Sequence, residues 1–182
     1  MRNTKARTVA LTGMLFALAM ALSFLESTIT PLLGLMPAVK IGLANIVVMY
    51  ALLYLGKKQA WTLMLLKAVF AFMTRGVTAG FLSLCGGALS LLVLCLLLVL
   101  PVRVTGYIFS ASGALAHNLG QLAGASLLLS SDMVWGYAPI LVISGLIVGY
   151  LTFWIFKEIS PYLSNALGQP KNEVKNKFKK KS

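Results

Sequence analysis

Six apolar runs follow one another along the chain with only short breaks, at about 8–26, 40–56, 59–80, 82–100, 105–129 and 135–157. A helix needs about 20 mostly apolar residues to cross the hydrocarbon core of a bilayer. In hydrocarbon every backbone polar group must be satisfied within the chain, so runs of this length fold as helices and not as an open sheet. The breaks hold turn residues and charges: Pro31 through Pro37, Gly56-Lys57-Lys58, Gly76 through Gly80, Pro101 with Arg103, and Ser130-Ser131-Asp132. The expected fold is all-α, a polytopic membrane protein with a six-helix domain over 1–160 and a basic, unstructured cytoplasmic tail over 161–182. A basic start before an apolar run looks like a secretory leader, but five further runs follow, so the first is read as a retained span.

Composition narrows the chemistry. Hydrophobic residues make up 59% of the 182 and charged residues 11%, where an ordinary soluble domain is about one-quarter charged. The only acidic residues are Glu26, Asp132, Glu158 and Glu173. That scarcity excludes a soluble enzyme built on paired carboxylates and a carboxylate-rich metal site. The net charge of +12 is concentrated at the ends: seven of the sixteen Lys and Arg lie from Lys157 onward, and Arg2, Lys5 and Arg7 precede the first run. Basic clusters flanking apolar spans orient a protein in a membrane and touch anionic headgroups. No basic face with interleaved aromatics marks a nucleic-acid site. The N-terminus, Lys57, Lys58, Arg103 and the tail fall on one side of a six-span topology, which places both termini in the cytoplasm and the protein in the cell membrane. Cys85 and Cys95 lie in apolar sequence without CxxC spacing and read as buried hydrophobes. Neither a metal nor a cofactor is expected.

Ionisable residues within spans are costly, so each is a functional candidate. Lys67 lies well inside the third run, with Arg75 toward its far end. Glu26 closes the first run. Lys40 opens the second, with Asn45 just over a turn deeper. His117, Asn118 and Gln121 sit midway along the fifth. His117 and Gln121 share a face with Ser110, Gly113 and Gly124, whereas Asn118 points about a quarter-turn away. Plainer readings stand beside these: Lys40 and Arg75 can snorkel to headgroups, Glu26 can neutralise one of them, and His117 can be a satisfied core histidine. Three cations against one internal carboxylate favour an anionic ligand, and the same excess argues against a proton or sodium relay. The chain lacks a GxxxxGK[ST] loop and so has no means of hydrolysing ATP. Six helices without an internal repeat are few for a self-sufficient transporter. The combination reads as a non-catalytic binding subunit that takes its energy from a partner. Small residues at four-residue spacing on the first helix, Gly13 with Ala17 and Ala6 with Ala10, fit either routine packing or a docking surface.

Specific strings add a resemblance. PAVKIGLANIV over 37–47, Glu26 before it, SLCGGALS over 83–90 and GALAHNLGQ over 113–121 resemble the blocks of the Gx transporter family, often labelled heptaprenyl diphosphate synthase component I. That family is similar to the six-helix substrate-binding (S) components of energy-coupling factor transporters. The resemblance covers about 8–157, and Ala38 departs from the usual glycine of the first block. It implies an S-component-like bundle that captures a vitamin-like molecule and docks through its first helix to a transmembrane coupling subunit and two ATPases. Lys40, Asn45, Lys67, His117, Asn118 and Gln121 fall in or beside the matching blocks and are the implied ligand contacts. Ala6, Ala10, Gly13 and Ala17 are the implied docking residues. The enzymatic label implies instead a membrane partner in heptaprenyl diphosphate synthesis. Chain-elongating prenyl synthases hold diphosphate through paired aspartates, which this chain lacks.

Overall fold

The computed structural model describes residues 4–32, 43–100, 104–130 and 132–166, and these are helical almost throughout. The α-helices are α1 (Thr4–Leu32), α2 (Leu43–Tyr50), α3 (Lys57–Arg75), α4 (Val77–Val99), α5 (Gly106–Leu129) and α6 (Ala138–Ala166). A π-helical turn, Ala51–Leu55, extends α2, and a 3₁₀ segment, Asp132–Tyr137, leads into α6. Ala6–Ile29, Val77–Val99 and Trp135–Tyr162 are long and apolar enough to cross a membrane. Less than a third of each of these windows is buried in the protein. The outward faces carry large apolar side chains such as Val9, Phe24, Met73 and Leu127, a surface that hydrocarbon covers and water does not.

Glycine sets the boundary between α3 and α4. The third run was expected to reach residue 80, but the helix ends at Arg75. Gly76 takes φ 89°, a region that a residue with a Cβ rarely adopts, and the chain reverses there. Val77–Gly80 therefore belong to α4, and Gly80 packs against Phe72 of α3. Gly56, at φ 103°, makes the corresponding break between the π-turn and α3. Thr105 caps α5 by accepting from the Ile108 N–H at 3.3 Å. α6 continues through Pro161 to Ala166.

Successive helices run antiparallel, as the paired contacts show: Asn45 with Lys67, Gly87 beside Met64, Ser90 with Gly113 and Ser110 with Gly149. α3, α4, α5 and α6 form the closely packed part of the bundle. The tightest approach joins α4 and α5. A Cβ built on Gly120 lies 2.7 Å from the Cys85 carbonyl oxygen and 2.9 Å from Gly86 Cα. Any larger residue there would drive backbone from backbone. α1 packs on α2 and α3 through Leu15, Ala19, Met20, Ser23 and Glu26. α2 and its π-turn are buried almost entirely, from Ile46 to Leu53.

Candidate functional site

The two faces of α2 look into two different hollows. At about 100° per residue, Asn45, Val48 and Met49 fall on one side, and Leu43, Ile46, Val47 and Tyr50 on the other. The first set lines a polar cavity of about 40 Å³ in the middle of the bundle, shared with Met64 and Lys67 of α3, Ser83, Gly87 and Ser90 of α4, Ser110 and Gly113 of α5, and Thr152 of α6. The second set lines an apolar cleft of about 240 Å³ between α1 and α6.

The polar cavity carries the chemistry. Lys67 Nζ donates a hydrogen bond to Asn45 Oδ1, joining α2 to α3. Ser90 Oγ donates to the Gly113 carbonyl at 2.8 Å and Ser110 Oγ to the Gly149 carbonyl at 3.0 Å. Ser83 and Thr152 are buried, line the same cavity and make no hydrogen bond among the described residues. Their hydroxyl hydrogens are thus available to a guest. None of the lining residues is acidic. An ammonium, an amide and two unengaged hydroxyls around one void form a donor set for a negatively charged group. A lysine among apolar helices is costly unless its charge is compensated, and Asn45 supplies one partner. At roughly 10–15 Å³ per water-sized site, the void holds about three waters or one small anionic head.

The structure brings together only part of the set expected from sequence. Asn45 and Lys67 meet in the cavity. His117 and Gln121 face α4 instead, where a Cβ on Gly86 would meet Gln121 Cγ at 2.7 Å and His117 Cε1 at 2.9 Å. Asn118 turns toward α6 and donates from Nδ2 to the Leu141 carbonyl at 3.0 Å. These three residues bind α5 to its neighbours on two sides, outside the lining of the polar cavity. Lys40 lies outside the described residues. Ala6, Ala10, Gly13 and Ala17 lie together on the exposed face of α1, and a Cβ on Gly13 would meet nothing within 4 Å. Glu26 is buried on the opposite, inward face.

Sequence reading assigned no role to Ser83, Ser90 or Thr152. The signal was present on α4, where Ser83, Gly87, Ser90 and Leu94 repeat at helical spacing and all line the cavity. Thr152 stands alone among apolar neighbours on α6 and offered no pattern.

No curated protein and no solved structure matches the chain. A family model does, over residues 15–159, which takes in α2 to α5, most of α1 and α6, and the whole polar cavity. The chain belongs to the family described as heptaprenyl diphosphate synthase component I.

Proposed function

We propose that the protein is a membrane-embedded, non-catalytic binding subunit. In this reading it crosses the cell membrane six times with both termini in the cytoplasm, and it captures a small anionic molecule, or the anionic head of a larger one. The observation that carries this reading is Lys67, held mid-bundle by Asn45 over a cavity with two unengaged hydroxyls and no carboxylate. A charge relay would need acids there, and a purely structural bundle has no use for a central lysine. The chain lacks an ATP-binding loop, so energy for transport comes from a separate coupling subunit and its ATPases, as in energy-coupling factor systems. The exposed small-residue face of α1, Ala6, Ala10, Gly13 and Ala17, is the docking surface in this scheme, since small residues let another membrane helix approach closely.

The test is mass spectrometry of small molecules released from the detergent-purified protein. A stoichiometric water-soluble anion, lost in Lys67→Ala, supports the reading. Its persistence in Lys67→Ala would sink the site. Gly13→Leu with Ala17→Leu should leave anion binding intact and abolish capture of the coupling subunit, because that face of α1 is exposed among the described residues.

The family description favours a second reading, a membrane partner in heptaprenyl diphosphate synthesis. The same donor set would then hold a diphosphate. Release of a prenyl diphosphate in the same experiment would choose this reading over the first.

A further inference from the structure

The cleft on the other side of α2 has no part in that function. Its floor is Ile46, Val47 and Tyr50, with Leu18 and Leu22 of α1 on one wall and Phe156 and Ile159 of α6 on the other. Floor residues are almost wholly buried, while Leu18 and Ile159 at the rim are 36% and 40% exposed. The cleft therefore opens sideways, along the face where a lipid chain would lie. Within this apolar lining Tyr50 is 1% exposed, and its Oη makes no hydrogen bond among the described residues. That hydroxyl is sealed behind the lining, which presents only apolar surface to the cleft.

Charge at one end says which occupant. Tyr54 and Ser160 close that end with a hydrogen bond of 2.7 Å. Lys57 and Lys58 follow three and four residues after Tyr54, and Lys157 stands one turn before Ser160; all three are exposed. Glu158 is the one acidic residue beside them among the described residues.

We propose that this cleft is a binding site for one anionic bilayer phospholipid, with an acyl chain on the apolar lining between α1 and α6 and the phosphate among Lys57, Lys58 and Lys157. Chain burial supplies affinity, at about 0.8 kcal/mol per buried methylene, and the lysines select the headgroup. The site is independent of the polar cavity and of the transport reading.

The experiment is native mass spectrometry of the full-length protein extracted in mild detergent, with phosphatidylglycerol and phosphatidylcholine added in equal amounts. One phosphatidylglycerol per protein should be retained. Lys58→Gln with Lys157→Gln should cut the preference for it by about fivefold per lysine. Val47→Trp, which fills the floor, should abolish retention; Ile159→Trp at the exposed rim does the same without loading the core. Retention of both lipids alike, or retention unchanged in Ile159→Trp, overturns the proposal. So does recovery of a prenyl diphosphate, or of a second polypeptide, in place of phospholipid.

Discussion

The two hollows beside α2 share helices α2 and α6 as walls but differ in chemistry. On one side five helices converge, a lysine reaches its amide partner, and hydroxyls from α4, α5 and α6 surround a space little larger than three waters. On the other side only α1, α2 and α6 contribute, the lining is aliphatic and aromatic, and the space is several times larger. The polar hollow is small, and Lys67–Asn45, Ser90–Gly113 and Ser110–Gly149 hydrogen bonds join its walls. Between the walls of the apolar one dispersion dominates, and lipid chains supply that equally well. A short helix can thus divide a membrane protein into compartments of opposite chemistry simply by the rotation between neighbouring residues.

The strongest way to break this contrast is to fill the polar hollow. Gly87 lines it, and a Cβ there would meet Met64 Cγ at 2.7 Å. Gly87→Leu should abolish anion binding and lower stability by about 1–3 kcal/mol, read as a lower thermal midpoint. Phospholipid retention should be unchanged; its loss would mean the two hollows are coupled. Next in size, Lys67→Ala should weaken anion binding about 10- to 100-fold, in line with a charge-assisted bond of about 1.5–3 kcal/mol, as measured by calorimetry. Tyr50→Phe sharpens the comparison from the other side. In lipid-stripped protein it should raise stability by about 1 kcal/mol or more, because the buried hydroxyl is gone, while anion affinity stays at the parent value. The smallest effect is expected for Ser90→Ala. Its bond to Gly113 serves packing, and such interhelical bonds average about 0.6 kcal/mol, so anion affinity should change less than threefold.

The helices were legible in sequence because the apolar runs are long and the breaks hold glycine, proline and charge. Their boundaries shifted where conformation decided: Gly76 ends α3 through its positive φ, which hydropathy does not register. Lys67 and Asn45 stood out as polar residues in apolar runs, although nothing in one dimension showed that they meet. His117, Asn118 and Gln121 read as one cluster, yet a helix shows different faces to different neighbours, and α5 has α4 on one side and α6 on the other. Ser83 and Thr152 stayed hidden because a hydroxyl in a membrane helix usually bonds to its own backbone. Only the packed bundle shows that these two do not. Tyr50 hid in the same way, as one more apolar residue of α2.

The backbone contact at Gly86 and Gly120 also decides which parts of the molecule can move. A guest larger than the polar cavity enters it only if some wall yields. Parting α4 from α5 would mean separating two main chains already at van der Waals distance, and the cavity hydrogen bonds of Ser90 and Ser110 fasten α4 to α5 and α5 to α6. α2 is tied across the polar cavity by the bond from Lys67 to Asn45, and its π-turn ends at Gly56. Lys67 also joins α2 to α3, so an anion that engaged its ammonium would act on the same bond that holds these two helices together.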